Sequence, residues 1–213
     1  MKVNLEILSG AYVLARQSAE TPRLKELVPN MLMRRRLSKA AKISAELLAN
    51  VGFTQGRIVC GSAYGELETT AHILNAIKDE QPISPSDFQN SVYNTAVSYL
   101  SILHQNHSEI MTLSCGELTA LQVLKTGALK ALDGDTLLLL CFETLNIEGI
   151  EQVNRCIDYL ESAVALVVKA TQKSATLHVK KSATKGVAPS ISQMLYVAEN
   201  YDSLHPCIVE VDV

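Results

Sequence analysis

No two cysteines in this sequence stand in a CxxC spacing, and the five present (60, 115, 141, 156 and 207) are an odd number. That argues against a disulfide framework or a structural zinc site and fits a reducing compartment. The histidines are equally scattered. His104 and His107 lie three apart, no third ligand follows, and no metal is expected. Charge of one sign is not in excess either: 19 basic residues stand against 22 acidic, a net charge of −3, which points to neither nucleic acid nor an anionic membrane as partner. No apolar run is long enough to span a bilayer, and the N-terminus lacks a basic region followed by an uninterrupted apolar one. The cytoplasm is the default location. The glycine-rich turn at 61–65 lacks the Gly-Lys-Ser/Thr ending of a phosphate loop. What the chain does have is 213 residues, 47% of them hydrophobic, enough for one substantial core and one domain.

The stretch from Glu109 to Thr144, EIMTLSCGELTALQVLKTGALKALDGDTLLLLCFET, organises the rest. Glu109–Ser114 reads as a short strand and Thr136–Phe142 as a buried one, bounded by Gly134 and Asp135. Between them Leu118, Leu121, Leu124 (with Val123), Leu129 and Leu132 recur at helical spacing. A strand, crossover helix and strand of this length call for a parallel sheet with helices on its faces, hence an α/β fold. The turn Ser114-Cys115-Gly116-Glu117 falls between strand end and helix start, where free N–H groups and the helix dipole favour an anion or a thiolate.

Earlier in the chain, Val3–Leu14 reads as a first strand followed by a turn at Ser9-Gly10, and 20–30, with two prolines, as irregular. Ala40, Ile43, Leu47 and Leu48 predict an amphipathic helix from about Ser38 to a stop at Gly52, with Arg34, Arg35 and Arg36 at its entrance. Arg57–Ser62 is a short buried strand, followed by a helix carrying Leu67, Ala71, Leu74 and Ile77 on one side. A further helix carries Phe88, Val92, Thr95-Ala96 and Leu100 and ends near His104. Later, Ile147–Tyr159 reads as loop and short helix, Ala163–Ala170 as a strand, and Ala175–Lys181 as its hairpin partner. Pro189 opens a helix with Ile191, Leu195 and Ala198 on one face, and Cys207–Val211 is a possible last strand.

Three of these segments carry a resemblance. A strand ending near a cysteine, a long helix, a Gly-Asp turn and an apolar strand resemble the nucleophile elbow of the β-ketoacyl synthases, in the thiolase-like family. The segment GSAYGELETT (61–70) is similar to the family's glycine-rich join between a central strand and its helix. The pattern ISPxxFxxSVxNxxxxxLSI (83–102) resembles the β-ketoacyl synthase-like N-terminal domain family, which includes chain length factors and the small synthase-like proteins of aryl polyene pathways. The likeness covers roughly Met1–Lys181, is strongest over 57–144, and leaves 182–213 as a divergent tail of one truncated domain. It implies the N-terminal half of a thiolase-like fold, a mixed central sheet with helices on its faces.

Counted back without a gap from Gly134-Asp135, the family's nucleophile position falls on Glu117. Placing Cys115 there needs two more residues in the helix, more than half a turn, which would rotate its apolar face. A carboxylate cannot be acylated as a thiolate can. No second half is present to supply the family's two histidines, so a Claisen condensation lacks both its nucleophile and its enolate-stabilising groups. The resemblance therefore implies a non-catalytic subunit, similar to a chain length factor, paired as a heterodimer with a full-length β-ketoacyl synthase and meeting an acyl carrier protein through that complex. It implies no cofactor. Phe88, Ser91, Val92 and Asn94, with Ile110 and Thr112 on the strand before the elbow, map to the dimer interface and acyl tunnel. Arg34, Arg35 and Arg36 map to a carrier-protein docking segment, with a solvated charge cluster as the plainer alternative. Glu143 stands where many synthases close a GGAE. Two other readings remain: a minimal acyltransferase or condensing enzyme using Cys115, and a structural homodimer.

Overall fold

The computed structural model describes residues 1–150 and 157–213. Part of the expected loop and helix over Ile147–Tyr159, with Cys156, lies outside the described residues. The strands are β1 (Lys2–Ala15), β2 (Arg57–Gly61), β3 (Ile110–Leu113), β4 (Leu137–Thr144), β5 (Glu161–Thr171), β6 (Leu177–His178) and β7 (Cys207–Asp212). The helices are α1 (Leu24–Leu27), α2 (Met31–Arg36), α3 (Lys39–Val51), α4 (Leu67–Lys78), α5 (Pro85–Asn90), α6 (Thr95–His104), α7 (Thr119–Ala131) and α8 (Ser192–Glu199). One mixed sheet runs in the order β3-β2-β4-β5-β1-β7-β6. β2 pairs in parallel with β3 and β4, whereas β5 runs antiparallel to β4 and β1.

The sheet is covered on both faces, so its central strands are apolar throughout. Along β4, Leu137, Leu139 and Cys141 enter the core beneath α7 and α8, while Leu138, Leu140 and Phe142 enter the core beneath α3 and α6. Strand alternation alone produces this division. Each such side chain, fully buried, contributes about 1.5–3 kcal/mol. Helix α3 begins where Ser38 Oγ accepts from the Ala41 amide at 3.1 Å and ends at Gly52, whose φ of 68° is left-handed.

The expected turn at Ser9-Gly10 does not form. β1 continues through it with one extra residue, Leu8, between the pairs Ile7↔Val168 and Ser9↔Val167. The bulge reverses the parity of the strand: Val3, Leu5 and Ile7 face the α7 core, but Ala11, Val13 and Ala15 face the α3 core. The Tyr201 hydroxyl donates to the Leu8 carbonyl at 2.9 Å.

Helix α7 also departs from expectation. Its buried face is Thr119, Ala120, Val123, Leu124, Gly127, Ala128 and Ala131, while Leu118, Leu129 and Leu132 are about half exposed. The small residues let the helix lie close on the sheet. At Gly61 of β2, an added Cβ would stand 2.6 Å from Thr119 and Val123, and one at Gly127 would overlap Leu139.

The single helix expected over 85–104 is two. Between α5 and α6 the Ser91 and Thr95 hydroxyls donate to the Phe88 and Asn90 carbonyls, and Tyr99 donates to Asn90 Oδ1, so side chains take the place of the helical ladder. Finally, residues 175–181 do not form a hairpin with β5, whose two edges are already taken by β4 and β1. Only Leu177–His178 pairs, in parallel with β7.

Candidate functional site

The strand ends of β2, β3 and β4 converge on the elbow. The Cys115 amide donates to Thr119 Oγ1 at 3.0 Å, that hydroxyl donates to the Gly116 carbonyl at 2.7 Å, and the Leu118 amide reaches the Cys115 carbonyl. Gly116 has φ 55°. The turn is therefore closed by its own helix, with Glu117 in a short 3-10 turn just ahead of α7, where the dipole favours an anion. Cys115 and Glu117 are both exposed. A cleft of about 430 Å³ opens beside them, lined by Ala63, Tyr64, Gly116, Glu117, Ile157, Val187, Pro189 and Ser190. The Cys115 thiol has no hydrogen-bond partner among the described residues.

Behind the walls of this cleft lies a buried carboxylate. Glu143, with no exposed surface, accepts from Ser62 Oγ (3.0 Å), the Ala63 amide (2.7 Å), the Tyr64 amide (3.2 Å) and Ser190 Oγ (2.6 Å). Burial pushes its pKa up from the ordinary carboxylate value and outweighs the donors that pull it down. One side chain at the end of β4 thus holds both walls of the cleft, the β2–α4 loop and the turn at Pro189–Ile191. Burial, reinforced by this carboxylate, also raises the thiol of Cys60. The available signal was a lone acid in an otherwise apolar strand.

Next to the elbow lies an apolar surface. Tyr93 and Ser114 both donate to the Ala63 carbonyl, at 3.3 and 3.5 Å, bringing the 91–94 loop beside the turn. Phe88 is 70% exposed, Val92 50% and Ile102 64%, and Leu74 and Ile77 of α4 are as open. Val92 and Asn94 line a groove of about 200 Å³ with Thr95, Tyr99 and Ile102; Phe88 and Ser91 lie outside it. Among the described residues β3, which carries Ile110 and Thr112, pairs only with β2 and leaves its other edge open. Unpaired edges and contiguous exposed apolar side chains mark interaction surfaces.

The arginine triplet forms the last turn of α2. Arg34 folds back, donating to the Val28 and Pro29 carbonyls at 2.6 and 2.7 Å. Arg35 and Arg36 line a groove of about 780 Å³ together with Lys42, His72 and the buried Glu66. Glu66 accepts from Ser38 Oγ at 2.7 Å, and burial lifts its pKa to about 7. The side chains of Arg35, Arg36 and Lys42 have no partner among the described residues. Nor, among those residues, do three or more His, Cys, Asp or Glu side chains gather in a way that could hold a metal. No described helix is long and apolar enough to cross a membrane.

A family model for the β-ketoacyl synthase N-terminal domain matches residues 10–207. The chain belongs to that family. No curated protein sequence matches it. Among solved structures, the synthase-like chain is similar to one from the complex of the ketosynthase ApeO with its chain length factor ApeC from Xenorhabdus doucetiae. The identity is 22% and the TM-score 0.67, over 91% of this chain and 89% of the other. It is also similar to the ishigamide ketosynthase/chain length factor, at 13% identity and TM-score 0.58 over 80% of this chain and 63% of the other. A third likeness is to AntDE:AntF, a type II PKS acyl-carrier protein in complex with its ketosynthase, at 13% identity and TM-score 0.58 over 81% and 64%. The chain spans less than two thirds of the last two. These likenesses are of fold: the mixed seven-stranded sheet with helices on its faces is the thiolase-like ketosynthase architecture expected for an N-terminal domain.

Proposed function

We propose that residues 1–213 act as a single synthase-like domain, a non-catalytic subunit of chain-length-factor type. In this reading it pairs in the cytoplasm with a full-length β-ketoacyl synthase and shapes that enzyme's acyl tunnel in polyketide, aryl polyene or fatty acid assembly. The observation that carries the reading is the open apolar surface around Phe88, Val92 and Ile102, beside the open edge of β3 and next to an elbow bearing Glu117. A tunnel wall contributed to a partner needs apolar side chains that no element of its own chain covers. Glu117 supplies a negative charge where condensation would need an acylable nucleophile. Arg35 and Arg36, uncommitted on the outer surface, are suited to the acidic face of an acyl carrier protein.

The test is co-purification with a full-length ketosynthase from the same genome, then a condensation assay with and without this chain. A stable 1:1 complex that the synthase needs for activity or product length supports the reading. Phe88→Ala in that complex is expected to lengthen the product; unchanged length removes Phe88 from the tunnel. Turnover of an acyl thioester by this chain alone, with covalent labelling of Cys115, would replace the reading with the minimal-enzyme one. A stable homodimer inert towards any synthase would replace it with a structural one.

A further inference from the structure

At the end of the sheet opposite β3, β6 and β7 part company. They pair only at Leu177↔Val209 and His178↔Glu210, after which residues 179–181 leave the sheet while β7 runs on to Asp212. The gap between them, closed on a third side by the half-buried Leu121 and Lys125 of α7, is a groove of about 420 Å³. Its charges do not cancel. Lys125, Lys180 and Lys181 line it, and none of their ammonium groups has an ion pair or hydrogen bond among the described residues. Of the two acids in the lining, Glu210 is occupied by Lys2 at 2.6 Å and by His178 at 3.4 Å, and only Asp212 is uncommitted. The groove is cationic.

One wall is Gln193 of α8, only 6% exposed. Its Oε1 is fully buried and lacks a hydrogen bond, and its amide nitrogen has no partner among the described residues. Buried carboxamides are ordinarily paired, because removing one from water without a replacement partner is unfavourable. With its Oε1 closed off, the carboxamide offers the groove its N–H donors, a match for the carbonyl of another amide. Ammonium groups with no protein partner act as point charges suited to phosphate.

We propose that this groove binds a small phosphate monoester that also carries an amide, its phosphate held by Lys125, Lys180 and Lys181 and its amide by Gln193. The site shares no lining residue with the cleft at Glu117 or with the groove of the α2 arginines, and it does not depend on the subunit reading. An apolar ligand would leave the ammonium groups unused. A bare anion would leave the carboxamide unpaired.

The experiment is chemical-shift titration of the full chain with N-acetyl-O-phosphoethanolamine, inorganic phosphate and N-acetylethanolamine. The phosphate amide is expected to bind about tenfold more tightly than inorganic phosphate, the worth of a net hydrogen bond or two, with shifts centred on Lys125 and Gln193. N-acetylethanolamine is expected not to bind. Gln193→Met should bring the phosphate amide down to the level of inorganic phosphate while the protein stays folded, since it replaces an unpaired polar group by an apolar one of similar volume. Lys125→Gln with Lys181→Gln, neither of them buried, should weaken the two phosphates alike. Equal affinity for both phosphates, insensitivity to Gln193→Met, or shifts confined to Arg35 and Arg36 would each overturn the proposal.

Discussion

Replacing Glu66 by Gln should remove a pH dependence of stability that a surface carboxylate cannot produce. Glu66 is 4% exposed and has one side-chain donor, Ser38 Oγ. The groove beside it holds cations from α2 and α3 (Arg35, Arg36, Lys39, Lys42), His72 and Glu68 of α4, Asp87 of α5 and the Tyr99 ring of α6. Burial dominates, however, and Glu68 adds to it, so the pKa stands at about 7 in the folded chain against an ordinary 4.5. Below pH 4.5 the acid is neutral folded or unfolded and contributes no slope. Between 4.5 and 7 the unfolded chain gives up the proton that the folded chain keeps, so stability falls as pH rises, and above 7 the loss is complete. The interval, at about 1.4 kcal/mol per pH unit, gives roughly 3 kcal/mol. Urea unfolding of both proteins at pH 5 and pH 8 isolates this group, because the other titrating groups are common to the pair. Glu66→Gln, which can still accept from Ser38, should be within about 1 kcal/mol of the parent at pH 5 and about 2–3 kcal/mol more stable at pH 8. A difference between the two proteins that does not change with pH would refute the reasoning.

Glu143→Ala should cost about 3–5 kcal/mol, since it leaves two buried hydroxyls and two part-buried amides without their acceptor; Glu143→Gln, isosteric but turning one donor against donors, should cost less, and thermal denaturation ranks them. Gly127→Ala forces a Cβ into Leu139 and should destabilise by about 1–3 kcal/mol despite its better helix propensity, which urea titration will detect. In native protein, maleimide should label Cys115 rapidly while Cys60 and Cys141 react only on unfolding, as peptide mapping by mass spectrometry would reveal. Reversing Arg35 and Arg36 to Glu should weaken carrier-protein binding to the assembled complex at least tenfold and flatten its salt dependence. A complex that binds the carrier as before would assign those arginines to solvent.

The parts of the fold legible in the sequence are those where one physical rule acts alone. The Leu137–Leu140 run could only be a strand buried on both faces, and Ser38 and Gly52 mark the ends of α3 because capping chemistry is local. The misread parts depend on partners remote in sequence. Ser9-Gly10 looks like a turn until β5 and β7 are present to hold β1 straight on either side of Leu8. The leucines of α7 trace a helical stripe, yet the sheet selects the smaller residues Ala120, Gly127 and Ala128, because closeness of approach outweighs the size of any one side chain. The break at Ser91–Asn94 arises from hydroxyls competing with the backbone, which propensity counts miss. At the candidate site, Glu117 and the arginines could be singled out only through the family resemblance. The network joining Glu143 to Ser62 and Ser190 could not, since it unites residues up to 81 positions apart.

The placement of β1 has a consequence for how the chain comes to be folded at all. This strand is synthesised before both of its neighbours in the sheet, Glu161–Thr171 and Cys207–Asp212, which lie far along the chain from it. Until those segments follow, its fourteen residues have neither edge satisfied. Non-local pairing of this kind folds slowly and leaves an apolar, strand-forming segment available to other nascent copies. Yield in the cell should accordingly respond more to translation rate and to holding chaperones than to the equilibrium stability of the finished protein.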